Sequence, residues 1–177
     1  LCNLTTLNVA AFVKDGKLEP EGLLEAQRLS VRAGIRMTCL DLELHEWDRV
    51  QKKDRLLGVS LTGWQDAVSS LDYSTDEEAA LLQKLRDAAH SEARRYADEL
   101  GIPRPLLVCT IKPEGTLSLL PGVSSGLHHS HSRFFIRRIR INADDPLAKV
   151  CEQLGYPVLP ENGQDPETCT VKVVEFP

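Results

Sequence analysis

Leu106-Leu107-Val108-Cys109-Thr110-Ile111, running directly into Lys112-Pro113-Glu114-Gly115-Thr116-Leu117-Ser118, is the stretch on which the fold turns. Its first six residues form an apolar run bounded by prolines, the pattern of a strand covered on both faces. Pro113 then bends the chain toward a short helix over 116–120, which Pro121-Gly122 closes. A buried strand passing through a glycine-containing turn into a helix is one βα unit, and the rest of the chain repeats the alternation.

Upstream, residues 1–13 alternate and are rich in Leu, Thr and Val, which predicts a strand ending at an Asp15-Gly16 turn. Glu19-Pro20 opens a helix, with Leu23, Leu24, Gln27, Val31 and Ile35 at helical spacing. A weak strand is predicted over 37–44, a polar helix over 46–53, an extended segment over 58–61 and a helix over 62–71. The longest helix begins at Thr75, where Glu78 completes a capping box. It carries the stripe Leu82, Leu85, Ala89, Ala93, Tyr96 and Leu100, and stops at Gly101. Downstream, strands are predicted over 134–141 and 170–176, with a helix from Asp145-Pro146 whose inner face is Leu147, Val150, Cys151 and Leu154. Residues 157–167 read as a surface loop. Regular alternation of this kind predicts an α/β fold with largely parallel strands in one domain over residues 1–177.

The chain has 177 residues, 42% hydrophobic and 27% charged, as in ordinary folded proteins. Its 21 basic and 26 acidic side chains give a net charge of -5, which argues against a nucleic-acid grip. No apolar run reaches the roughly 20 residues of a membrane helix, and no basic-then-apolar leader is present. Cys2, Cys39, Cys109, Cys151 and Cys169 are too scattered for a disulfide framework or a zinc ribbon, so a reducing cytoplasm is the expected setting. The chain opens at Leu1-Cys2 and stops at Pro177 beside strand-like sequence, as a piece cut from something longer would.

Three places can carry chemistry. The turn at Lys112–Ser118 presents unpaired N–H groups at a helix start, a glycine that admits close approach and two hydroxyls, which together suit a phosphate. A plain strand-to-helix turn uses the same residues. Cys2, in Leu1-Cys2-Asn3-Leu4-Thr5-Thr6-Leu7-Asn8, reads from its surroundings as a small core residue, as do the other cysteines. His128, His129 and His131 are close in sequence but fall on differing sides of the backbone, with no ligand following at zinc spacing. Of the arginines that follow, Arg138 and Arg140 share one strand face and Arg137 takes the other, either as structural ion pairs or as a positive field near a polyphosphate.

Taken in order, these segments resemble the second half of the catalytic barrel of ribonucleotide reductases. Leu1-Cys2-Asn3-Leu4 with Leu7-Asn8 resembles the strand carrying one of that family's two reducible cysteines. Arg55-Leu56-Leu57-Gly58-Val59-Ser60 matches its R-x-x-G-[IV]-[GS] segment, and Leu61-Thr62-Gly63-Trp64-Gln65-Asp66 the helix start that follows. Thr110 to Ser118 resembles the substrate-phosphate turn. Gly122-Val123-Ser124-Ser125-Gly126 with Arg137-Arg138-Ile139-Arg140 continues the pattern, and Val174-Glu175-Phe176-Pro177 resembles the close of another barrel strand. The K-P-x-G-T turn, the histidine-rich loop and the I-R-R-I-R strand are most similar to the adenosylcobalamin-dependent (class II) enzymes, in their ribonucleoside-triphosphate branch.

That resemblance implies part of a ten-stranded α/β barrel that reduces ribonucleoside triphosphates or diphosphates to deoxyribonucleotides. Cys2 would be half of the dithiol, and Pro113, Glu114, Gly115, Thr116, Leu117 and Ser118 would bind substrate; no metal ligands are assigned. Adenosylcobalamin is the implied cofactor, with most of its contacts outside this chain. The implied partners are the nucleotide, a thioredoxin-type reductant and the remainder of the reductase chain, with neither membrane nor nucleic acid. The family's thiyl-radical cysteine and second reducible cysteine are absent, so this chain alone should not turn over. A non-catalytic nucleotide-binding module, a metal protein built on the histidines, and a reductase using a partner subunit's tyrosyl radical are the competing readings.

Overall fold

Two parallel strands form the centre of the larger unit. β1 (Asn3–Asn8) and β4 (Leu57–Thr62) pair in a register that sets Leu4 opposite Gly58, Thr6 opposite Ser60 and Asn8 opposite Thr62. The computed structural model describes residues 2–177; Leu1, quoted above with Cys2, lies outside the described residues. The chain divides into two compact units, one running to His129 and one from Ser130 to Pro177. Between β1 and the first helix come a 3-10 turn (Val9–Phe12) and a small antiparallel hairpin of β2 (Val13–Lys14) and β3 (Lys17–Leu18), which makes the predicted Asp15-Gly16 turn.

Side chains alternate across a strand. One face of the β1–β4 pair buries Leu7, Leu57, Val59 and Leu61 against α1 (Pro20–Met37) and α4 (Thr75–Leu100). Pro20 begins α1 where its missing N–H is harmless. The buried stripe of α1 is Leu23, Gln27, Val31, Gly34 and Ile35. A Cβ on Gly34 would lie 3.3 Å from Leu57 Cδ2, so the small residue lets the helix settle on the strand. Each fully buried Leu or Ile here contributes on the order of 1.5–3 kcal/mol.

The capping box of α4 falls one residue earlier than the sequence reading put it. Ser74 Oγ accepts from the Glu77 N–H, while the Glu77 carboxylate accepts from the Ser74 N–H. Gly101, at φ 66°, ends the helix as expected. α1 and α4 are also clamped electrostatically: the buried Glu92 accepts from Arg32 Nε at 2.5 Å and from Arg95 Nη2 at 2.6 Å. α2 (His45–Asp54) and α3 (Trp64–Leu71) complete the helices of this unit. No strand forms over 37–44. Thr38 instead closes α1 with its hydroxyl on Ile35 O, and the buried Arg55 guanidinium donates to Thr38 O at 2.6 Å.

The run Leu106–Ile111 is extended beside β4, but it is an edge rather than a doubly covered strand. Leu57 N–H donates to Leu107 O, Val59 N–H to Val108 O and Thr110 N–H to Val59 O, around one parallel bridge between Val59 and Cys109. Val108 is buried, whereas Leu106, Leu107 and Ile111 are 67%, 63% and 70% exposed. Cys109 is exposed too, and not a core thiol.

The smaller unit contains an antiparallel sheet, which corrects the expectation of largely parallel strands. β5 (Arg137–Asn142), β6 (Val158–Pro160) and β7 (Val171–Phe176) are ordered β5-β7-β6, with α5 (Pro146–Gln153) between β5 and β6. β6 lies within the stretch expected to be loop. Asp145 caps α5 by accepting from Leu147 N–H. The expected inner face of α5 is largely uncovered: Leu147, Val150 and Leu154 are exposed, and Ala148 and Val174 are the buried apolar residues. Arg138 pairs with Glu175, its neighbour across the ladder, and Arg140 with Glu161, so these two cations are structural ion pairs. Among the described residues no helix is long and apolar enough to cross a membrane.

Candidate active site

The second face of the β1–β4 pair carries the candidate site. Alternation places Leu4, Thr6 and Asn8 on this face of β1, with Cys2 preceding them in step, and Gly58, Ser60 and Thr62 on this face of β4. It is more polar than the helix side, with the hydroxyls of Thr6, Ser60 and Thr62 and a glycine among its six strand positions. The hydroxyls anchor one long loop. Lys112 N–H donates to Ser60 Oγ at 3.1 Å, and Thr6 Oγ1 donates to Glu114 Oε1 at 2.5 Å. One rung along, Thr62 Oγ1 donates to Ser124 O at 3.0 Å and accepts from Gly126 N–H at 3.2 Å.

Further bonds fasten the far end of this loop to the start of α3. Ser124 N–H donates to Asp66 Oδ2 at 2.7 Å, and Gly63 N–H donates to Ser124 O. Two glycines permit the crossing. A Cβ on Gly126 (φ 53°) would lie 2.6 Å from Lys112 O, and one on Gly63 (φ 67°) 2.6 Å from Asn8 Oδ1. Neither position can take a side chain without moving backbone or the Asn8 amide.

The turn differs in form from the expected one. Only a single 3-10 turn, Leu117–Leu119, replaces the helix expected over 116–120, so little macrodipole is available. What it offers instead is a row of free donors. Ser118 N–H bonds to Glu114 O, but among the described residues the N–H groups of Gly115, Thr116 and Leu117 have no intramolecular acceptor, and all three residues are exposed. Successive free N–H groups make a concave anion site.

Two members of the expected phosphate set point inward and hold the turn from beneath. Glu114 is buried at φ 54°, and its carboxylate meets Lys112 Nζ at 3.3 Å as well as Thr6. Ser118, fully buried, meets Ser125 Oγ at 3.0 Å. A left-handed non-glycine residue costs roughly 1–2 kcal/mol. Hydrogen bonds to a charged partner, at about 1.5–3 kcal/mol each, offset it. Pro113 is exposed at the entry to the turn.

Cys2 is exposed at the other end of the same face. Leu4 Cδ2 is the atom nearest the point a Gly58 Cβ would occupy, followed by Thr110 Cγ2 at 3.0 Å and the Cys2 Sγ at 3.2 Å. The missing side chain therefore makes room for Leu4 first and leaves the sulfur at the margin of that space. The core reading of Cys2 fails because its strand face is not the one covered by helices. Cys2 and Thr6, the residue that holds Glu114, are on one side of one strand, about 13 Å apart at four residues of extended chain. The sulfur and the residue that holds the turn thus stand on one strand face. Sequence reasoning missed Thr6, Ser60, Thr62 and Asp66. For the three strand residues the signal was small polar side chains alternating with leucine and valine, legible only once the register was known; Asp66 gave none. His128, His129 and His131 gather no further ligands: among the described residues no group of three or more His, Cys, Asp or Glu side chains could hold a metal ion.

No protein-family model matches the chain. Its fold is that of a B12-dependent (class II) ribonucleotide reductase crystal structure, with a TM-score of 0.73 over 99% of this chain and 27% of that one, at 22% identity. Sequence relatives point the same way. The chain belongs to the ribonucleotide reductase family. Within that class it groups with the adenosylcobalamin-dependent ribonucleoside-triphosphate reductases. That of Lacticaseibacillus paracasei is 30% identical over 200 residues, covering 99% of this chain and 26% of the relative, and that of Lactobacillus acidophilus is 29% identical over 178 residues, covering 88% and 23%. A protein of Mycobacterium phage D29, provisionally given the same name, is 36% identical over 151 residues, 81% of this chain and 22% of its own. The chain spans about a quarter of the length of the curated relatives it matches.

Proposed function

We propose that these 177 residues form part of the ten-stranded catalytic barrel domain of a cytoplasmic ribonucleotide reductase, acting on ribonucleoside triphosphates. The observation that carries this reading is the shared strand face: an exposed thiol at one end, and at the other a row of free N–H groups. A nucleotide lying along it would place its phosphates on Gly115, Thr116 and Leu117, with Pro113, Glu114 and Ser118 shaping the turn, and its sugar toward Cys2.

In the reductive step Cys2 and a second cysteine, supplied from outside this chain, each give up one electron and one proton as their S–S bond forms. The ribose 2′-hydroxyl leaves as water and a hydrogen takes its place. A thioredoxin-type reductant then restores the dithiol. Adenosylcobalamin, when bound, supplies the organic radical that makes the 2′ position reducible. Most of that cofactor's contacts are assigned to parts of the reductase outside these residues.

Cys2→Ser in the assembled enzyme tests the reading. The variant should bind nucleotide normally and lose multiple turnover with the thioredoxin-type reductant, measured as deoxyribonucleotide formed per active site. Normal turnover would reject the role of Cys2.

A further inference from the structure

Thr6 and Ser60 are partners across the β1–β4 ladder, and each holds one side of Pro113. The Thr6 hydroxyl donates to the Glu114 carboxylate, and Ser60 Oγ accepts the Lys112 N–H. We infer that this rung is a positioning device for the substrate's phosphates: Thr6 and Ser60 fix the backbone of Lys112–Glu114, so that the next three N–H groups converge outward on the polyphosphate. The inference deepens the reductase reading and rests on it.

The geometry assigns the parts of the rung. Glu114 has a left-handed backbone without being glycine, so something must hold it there. Its side chain is wholly buried and is gripped at both oxygens, by Thr6 on one and Lys112 Nζ on the other. Those bonds turn a carboxylate inward from an anion site, and Lys112 balances its charge where it would otherwise repel phosphate. Loss of the Thr6 hydroxyl frees the carboxylate to swing and lets the backbone relax to an ordinary conformation. The three N–H groups then diverge. Neither Thr6 nor Ser60 would touch the nucleotide, so both act through the turn.

The test uses the assembled reductase with Thr6→Val, which keeps the shape and removes the hydroxyl, and Thr6→Ser, which keeps the hydroxyl. Inorganic tripolyphosphate, as a competitive inhibitor, probes the phosphate site alone. Thr6→Val should raise KM for the ribonucleoside triphosphate about 10-fold or more, the scale of one lost hydrogen bond to a charged group. It should raise the tripolyphosphate inhibition constant in parallel and leave kcat within about twofold. Thr6→Ser should restore both constants. Ser60→Ala, a milder change at the other side of Pro113, should show the same split and serves as the test if Thr6→Val does not fold.

A fall in kcat with KM unchanged, or equal damage from Thr6→Ser and Thr6→Val, would overturn the positioning role while leaving the phosphate turn in place. A wild-type enzyme insensitive to tripolyphosphate and indifferent to the triphosphate tail would overturn both the rung and the reductase reading beneath it.

Discussion

Gly115→Val separates binding from folding at the phosphate turn. A Cβ at Gly115 would meet nothing within 4 Å, and the backbone there is outside the left-handed region, so valine fits the protein alone without strain. Stability should stay within about 1 kcal/mol of wild type, with a small gain from the stiffer unfolded chain. The bound nucleotide meets a different surface. The γ-methyls of valine stand over the N–H row of Gly115, Thr116 and Leu117 and keep phosphate oxygens from closing on it. Loss of one charge-assisted hydrogen bond, at about 1.5–3 kcal/mol, lowers affinity roughly 10- to 100-fold. Equilibrium binding of a ribonucleoside triphosphate to the assembled enzyme, alongside a thermal melt, reads both quantities. An affinity within twofold of wild type would refute the anion-site argument. A large fall in melting temperature would refute the claim that the position is open.

Two further outcomes follow from contacts elsewhere in the larger unit. Gly126→Ala places a methyl 2.6 Å from Lys112 O at a backbone φ of 53°, so it should destabilise by about 2 kcal/mol or more and weaken nucleotide binding with it, as seen in urea unfolding and a binding titration. Hydrogen bonds from Arg95, and secondarily Arg32, hold the Glu92 carboxyl down to about 2 against the opposing effect of its burial, below its usual 4.5. A carboxyl lowered by folding stabilises fully above pH 4.5 and loses that contribution as pH falls from there toward 2. The urea midpoint of wild type should therefore exceed that of Glu92→Gln at pH 6, with the gap narrowing at pH 3.

The helices were legible because their cause is local. The stripe Leu23, Gln27, Val31, Ile35 and the stop at Gly101 depend on spacing and on one backbone conformation. The α4 cap was displaced by one residue because Ser74-Thr75-Asp76-Glu77-Glu78 contains two overlapping capping boxes, and only packing selects the frame. The apolar run Leu106–Ile111 announced an extended segment but could not announce its neighbours, and an edge looks like a core strand until the covering elements are known. α5 was misread for the same reason, its leucines lying on a face the described residues leave open. At the site, the resemblance drew attention to Cys2 and the turn, while Thr6 and Ser60 stayed hidden because strand alternation reveals a face and never a partner. Arg138 and Arg140 show the converse: their common face was evident, and their neutralisation required the antiparallel sheet, which sets Glu175 of β7 opposite Arg138 and brings Glu161, just past β6, to Arg140.

The most direct test of the central claim is whether bound nucleotide shields the sulfur of Cys2. Alkylation of each cysteine by iodoacetamide, followed by peptide mass spectrometry of the assembled enzyme with and without a saturating ribonucleoside triphosphate, measures it. Labelling of Cys2 should slow more than about tenfold, because the open form becomes a small fraction, while Cys169 labels at an unchanged rate. Equal labelling of Cys2 with and without nucleotide would contradict it.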